Sequence, residues 1–215
     1  SQKKHLTFSG FFNIQKSSLD CAYMRISNHL LQELFPFLDE SNLIVLERIS
    51  KELTFQNKET IRALDQRADY IYFITSGMMR GYIIDNKGDE KNIMLRPAHT
   101  FCIAPEVLQG ATKSRYIFES IGDTTIIRYP YTDFEALAQT QLPIAQLYIR
   151  GLKEGIATFF FRLENLSTKT PEERYDEMLE RFPQFLEKAY NKHIANFLGI
   201  TPNSLSRIIK RKKKG

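Results

Sequence analysis

The 215-residue chain has no tryptophan, only two cysteines, and no uninterrupted apolar run of the eighteen or so residues that a bilayer-spanning helix needs. Each shortage excludes a class of protein. Cys21 and Cys102 stand far apart and outside any C-x-x-C arrangement, so no disulfide framework, zinc site or Cys-ligated iron–sulfur cluster is indicated. The four histidines, at positions 5, 29, 99 and 193, are scattered, and the chain has no H-E-x-x-H pair, Gly-rich phosphate loop or Ser-His-Asp order. A cupin-type metalloenzyme on a β-roll gathers its metal with clustered His and carboxylates, and the scatter argues against that alternative. No cofactor or metal is expected. The opening SQKKHLTFSGFFNIQKSS lacks a signal-peptide core, which gives the cytoplasm as the expected location and leaves no membrane partner. Residues 1–23 read as an extension or arm with no assigned function.

What is present is an ordinary globular composition, 42% apolar and 26% charged, enough for one large or two small domains. The charge is distributed unevenly. From Glu187 to Gly215 there are eight Lys or Arg and one acidic residue, a balance of +7, so the preceding part carries −2 of the net +5. A basic end of this kind neutralises phosphates and releases counterions, which makes affinity fall steeply with salt.

The same end carries the strongest pattern in the chain. Asn191 to Lys210 reads NKHIANFLGITPNSLSRIIK. Ile194, Ala195 and Leu198 recur at helical spacing, and Gly199 follows as a helix-ending residue that tolerates positive φ. Thr201 suits an N-cap and Pro202 the first helical position, with Ile200 and Leu205 placed as a hydrophobic staple. In the second helix Leu205, Ile208 and Ile209 fall on one side, Asn203, Arg207 and Lys210 on the other, and Ser204, Ser206 and Arg211 flank the polar face. This is a helix-turn-helix pattern. Asn pairs bidentately with adenine and Arg with guanine in a major groove, while Ser and Lys more often hold phosphates. The other reading of the same residues is a helical hairpin that contacts protein, with the chain acting as a ligand-binding or interaction module.

Between about Leu53 and Tyr129 the pattern becomes β-type: ELTFQ, DYIYFITSG, MMRGYIIDNKG, KNIMLRP, RYIFESIG and TTIIRYP. Ser76-Gly77, Asn86-Lys87-Gly88 and Gly122-Asp123 read as turns between strands. An antiparallel roll or sandwich is expected, with Ile71, Phe73, Tyr82, Ile84, Ile93, Leu95, Ile117 and Ile126 inside. Helices around Pro36, from His29 to Ser50, would cap it. From Pro143 to Leu166, apolar residues at alternating four- and three-residue steps form a heptad seam with Ile149, Leu152, Ile156, Phe159 and Leu163 at its centre. A partner helix, supplied by a second copy, is the expected occupant; the other reading of the same pattern is a helix buried within the single chain and packed against the roll. Thr170-Pro171-Glu172-Glu173 is a capping box that starts a further helix through about Leu186, after a hinge at Thr168-Lys169.

The order of roll, long helix and helix-turn-helix over Arg25 to Lys214 resembles the Crp–Fnr superfamily of bacterial transcription regulators. The residues that carry it are YIYFITSGMMRGY, Tyr70 to Tyr82, with TPEERYDEML and KHIANFLGITPNSLSRIIK, the last two being similar to short-tailed members from Bacteroidetes-type bacteria. The resemblance implies an α+β fold made of a cyclic-nucleotide-binding-like β-roll (24–142), a dimerisation helix (143–168) and a winged-helix-like helix-turn-helix domain (169–215). It also implies a homodimer on an inverted-repeat operator, with double-stranded DNA and RNA polymerase as partners. Arg207 matches the family's base-reading arginine, and Pro202 and Asn203 open its recognition helix. The phosphate cassette departs from the family pattern. Phe101 to Glu106, then Lys113-Ser114-Arg115-Tyr116, lacks the Gly before Glu106 and has a bulky Tyr after Arg115, and a phosphate needs a nest of backbone N–H groups with a fixed cation. The resemblance therefore does not extend to cyclic AMP. Glu106, Lys113, Arg115 and Tyr116 remain the candidate residues for some other effector.

Overall fold

The computed structural model describes residues 27–111, 113–185 and 189–213. The extension at 1–23, with Cys21, and Lys214 of the basic end lie outside them.

Residues 27–34 form helix α1, which stops before Pro36; α2, Glu40–Ile49, starts on a capping box in which Asn42 N donates to Asp39 Oδ1 at 2.9 Å and Asp39 N to Asn42 Oδ1 at 3.1 Å. Six strands follow: β1 Lys51–Phe55, β2 Thr60–Arg62, β3 Tyr70–Ile84, β4 Glu90–Pro97, β5 Phe101–Ile103 and β6 Ile117–Pro130, with the short helix α3, Pro105–Leu108, ahead of β6. All the strand pairings are antiparallel. The two long strands, β3 and β6, pair along most of their length, and each serves two layers. The first half of β3 pairs with β5 and the second half with β4, while the first half of β6 pairs with β2 and the second half with β1.

The transition between layers corrects the sequence reading at two places. Ser76-Gly77 and Gly122-Asp123 are not turns between strands. They are bends within β3 and β6, where the register slips between Ile74 and Met78. Gly77 (φ 81°) and Gly122 (φ 70°) take left-handed conformations there, which is where L side chains are disfavoured. At Gly77 the approach is also too close for a side chain, since a Cβ would stand 2.3 Å from the Asp123 carbonyl oxygen. The expected turn at Asn86-Lys87-Gly88 is present, with Asp85 Oδ1 accepting from Lys87 N and Asp89 N.

Of the expected interior, Ile71, Phe73, Tyr82, Leu95, Ile117 and Ile126 are buried and Ile93 is half-buried, but Ile84 is 48% exposed. It lies beyond Tyr82, where pairing with β6 ends, and it is the neighbouring Ile83 that packs against the interior.

Two apolar clusters hold the roll. Tyr72, Ile74, Met79, Cys102, Phe118 and Ile126 fill its interior. On its outer face Leu31, Phe35, Leu46, Phe73, Tyr129 and Phe134 join the capping helices to β3 and β6. Full burial of each such side chain stabilises by roughly 1.5–3 kcal/mol. Helix α4, Tyr131–Thr140, leads into α5, Leu142–Thr168, whose 27 residues extend about 40 Å. Ile144 and Leu147 anchor its first turns in the outer cluster.

Helix α6, Pro171–Arg181, has the expected capping box, with Glu173 N donating to Thr170 Oγ1 at 3.4 Å and Thr170 N to Glu173 Oε2 at 2.8 Å. It ends at Arg181 rather than near Leu186, because Phe182 precedes Pro183 and a residue before proline is driven out of the helical region. Helices α7, Asn191–Phe197, and α8, Pro202–Lys212, complete the chain. The fold is α+β: an antiparallel double-layered roll with flanking helices, a long helix, and a helical C-terminal unit built on a helix-turn-helix.

Candidate nucleic-acid interface

The turn between α7 and α8 is built from backbone chemistry. Gly199 takes φ 70°, and Gly199 N donates to Asn196 O at 3.1 Å while Ile200 N donates to Ala195 O at 2.9 Å, the two bonds of a Schellman stop. Arg174 of α6 secures the turn, donating from Nη1 to Leu198 O at 2.7 Å and from Nε to Lys169 O at 3.0 Å. Thr201 then caps α8, its Oγ1 accepting from Ser204 N at 3.1 Å. Beneath the turn Ala195, Leu205 and Ile208 are buried in a core with Tyr175, Met178 and Phe197.

This scaffold determines how the other face of α8 is presented. Pro202, Asn203, Ser206, Arg207 and Lys210 are exposed, as are Thr201 and Arg211. At 100° per residue Asn203, Arg207 and Lys210 lie within a 60° sector opposite Leu205 and Ile208. The candidates divide by what else they touch. The hydroxyls of Thr201 and Ser204 bond each other at 2.9 Å and serve the cap. Arg211 Nη2 pairs with Glu172 at 2.9 Å and Lys212 Nζ with Asp176 at 2.7 Å, so α6 neutralises the basic run on one side. Among the described residues no ion pair engages Arg207 or Lys210, whose charges face solvent together with Lys213 and with Lys192 of α7.

Sequence reasoning did not find the polar contacts that fasten α7 to the roll. Asn92 N on β4 donates to Asn196 Oδ1 at 2.6 Å, Asn196 Nδ2 to Glu90 O at 2.6 Å, and Asn92 Nδ2 to His193 O at 3.0 Å. Behind them Arg80, 2% exposed, donates to Asn92 Oδ1, Glu90 and Glu119 and lies 4.0 Å over the Tyr82 ring. Burial opposes its charge, but the bonds to Glu119 and Glu90 outweigh that and raise its pKa. His193 is 3% exposed; burial and the nearby Arg80 and Lys192 charges push its pKa down to about 4. Arg162 of α5 joins the same junction, donating to Ile93 O at 2.6 Å and lying 4.6 Å over the Phe197 ring, and burial lowers its pKa to about 10. An Asn in an amphipathic helix carries no signal that its partner is 104 positions away.

The remaining candidates lie elsewhere. Glu106 is half-buried and its carboxylate accepts from Ser114 Oγ at 3.1 Å and Arg115 N at 3.4 Å. Lys113 and Arg115 are exposed, while Tyr116 is buried. The Arg115 guanidinium lies 5.7 Å over the Tyr116 ring. Along α5, Ile149, Ile156, Phe159 and Leu163 are 48–60% exposed and Leu152 is half-buried. His99 is exposed, and Cys102 is buried with its thiol pushed up to about 11 by that burial. Among the described residues no three His, Cys, Asp or Glu side chains form a metal-ligand group, and no helix is long and apolar enough to cross a membrane.

No protein-family model and no curated protein matches the chain. Solved structures do match. FixK2 from Bradyrhizobium japonicum superposes with a TM-score of 0.67 at 20% identity, over 77% of this chain and 85% of that one. The c-di-GMP-responsive global regulator CLP of Xanthomonas campestris gives 0.64 at 12%, over 82% and 92%. A transcriptional regulator of the CRP/FNR family from Thermus thermophilus gives 0.58 at 18%, over 76% and 86%. The chain therefore has the fold of Crp/Fnr-type transcriptional regulators.

Proposed function

We propose that the chain is a sequence-specific DNA-binding transcription regulator of the Crp/Fnr type, working in the cytoplasm as a homodimer and not as an enzyme. In this reading residues 24–142 are a sensor roll, 143–168 a dimerisation helix and 169–215 the DNA-binding domain. One observation carries the reading most directly: Asn203, Arg207 and Lys210 are exposed on one side of a capped helix whose other side is buried. Arg207 is the candidate for guanine and Asn203 for adenine, with Ser206 and Lys210 on phosphates. Pro202 and Thr201 set the helix start at the groove, and Arg211 holds the helix to α6 while leaving its remaining N–H groups for a phosphate. Two chains joined through the exposed apolar stripe of α5 would present two α8 helices to successive major grooves, about 34–36 Å apart along an inverted repeat. The fold shared with regulators supports this reading, as does the basic end of the chain.

The test is selection of bound sequences from random duplex DNA by the full chain. An inverted repeat whose affinity falls steeply with salt is the expected result. Recovery of no common sequence, with binding indifferent to salt, would leave the helix-turn-helix as a protein contact.

A further inference from the structure

Between the roll and α5 lies a cavity of about 420 Å³, within the range of roughly 300–1,000 Å³ usual for small-molecule sites. Its walls are apolar: Ile71, Met94 and Phe101 from the strands, Leu108 from α3, and Leu152 and Phe159 from α5. Two glycines bring the helix close. A Cβ at Gly151 would press on the Phe101 ring at 3.3 Å, and one at Gly155 would stand 3.6 Å from Arg96 Nη2.

Arg96 is the cation in this lining. Its guanidinium has no carboxylate partner among the described residues. It makes one long contact, Nη1 to Thr158 Oγ1 at 3.4 Å, and its Nε is buried without a partner. A second guanidinium stands behind the wall. Arg62, 3% exposed, donates Nη2 to the carbonyl of the cavity residue Tyr116 at 2.7 Å and leaves Nε and Nη1 unpartnered. Arg62 is compensated in part by the Phe118 ring, 4.4 Å away, whereas Arg96 is half-buried at the cavity with no counter-ion among the described residues, which favours an anionic partner there; a site that is otherwise apolar offers few groups to a polyhydroxylated or heterocyclic ligand. The carboxylate of Glu106 is engaged with Ser114 and Arg115.

We infer that this cavity binds an amphiphilic anion, an apolar body with one anionic head, whose head pairs with Arg96 while the body fills the space between β4, α3 and α5. The inference stands on the cavity and Arg96 and is independent of the DNA-binding reading.

Calorimetric titration of the full chain with decanoate and with decanol tests it. Decanoate should bind one per chain, about tenfold more tightly than the neutral alcohol, because a charge-assisted bond to the guanidinium adds to apolar burial. Arg96→Gln, which retains a donor for Thr158, should bring the two affinities together by weakening decanoate alone. Leu108→Trp, at an exposed rim position, should weaken both ligands while the melting temperature stays unchanged. Competition by millimolar cyclic AMP should not displace decanoate. Absence of decanoate binding, equal affinities in the parent chain, undiminished discrimination in Arg96→Gln, or displacement by cyclic AMP would each overturn the inference.

Discussion

The side-chain oxygen of Asn196 in α7 accepts the backbone N–H of Asn92 in β4 at 2.6 Å, and its amide nitrogen returns a bond to Glu90 O at 2.6 Å. One side chain thereby completes the edge of the roll in the way a further strand would. Its removal leaves a backbone donor and acceptor without partners at the junction. Asn196→Ala should lower unfolding free energy by about 1–3 kcal/mol, and hydrogen exchange at the Asn92 amide should accelerate. An unchanged exchange rate at Asn92 would show that the contact does not hold the junction.

His193 gives that junction a pH dependence. Its folded pKa, about 4, is below the unfolded value of 6.5, so between these values the unfolded chain binds the extra proton. The stabilisation is complete above pH 6.5 and is lost as pH falls toward 4. Carboxylates titrate in part of the same window, so the measurement is the difference in melting temperature between the parent and His193→Gln from about pH 8 to about pH 4. The parent should lose more stability than the variant across the window. Parallel curves would contradict the assignment.

The two layers of the roll rest on Gly77. In Gly77→Ala the new Cβ meets the Asp123 carbonyl at 2.3 Å as well as requiring φ 81°, and the combined cost should be about 2–5 kcal/mol. Gly88 has φ 83° but open space around it, so Gly88→Ala should cost only about 1–2 kcal/mol. Denaturant unfolding of both variants separates crowding from backbone strain. Similar losses would show that the close approach at Gly77 costs nothing beyond the strain.

Ile149 and Leu163, 48% and 52% exposed on α5, belong to the proposed seam but not to the cavity wall. Light scattering should find the parent chain dimeric and the Ile149→Glu, Leu163→Glu double variant monomeric, with its circular dichroism retained. A variant that stays dimeric would place the seam elsewhere.

What could be read from the sequence was what local chemistry determines. Thr201-Pro202 and Thr170-Pro171-Glu172-Glu173 announce helix starts because caps involve neighbours, and the α8 faces follow from spacing alone. Most of the differences come from long-range context. Gly77 and Gly122 have the composition of turns, yet β3 and β6 pair through them, and only the pairing distinguishes a bend from a reversal. Ile84 continues the alternation of Tyr82, but it stands past the last pairing with β6, which no local pattern marks. Phe182-Pro183 did carry a local stop signal, which the apolar pattern running on past it obscured. Asn196, Arg80 and Arg96 gain their significance from partners, or missing partners, far away in the chain.

The central claim is that Arg207 reads a base. It is tested by the ratio of affinities for the selected operator and for a scrambled duplex at one fixed salt concentration, in the parent and in Arg207→Ala. This ratio should fall by roughly 5- to 150-fold, corresponding to about 1–3 kcal/mol of discrimination, with the melting temperature unchanged because Arg207 is exposed. A variant that keeps the parent's ratio would contradict it.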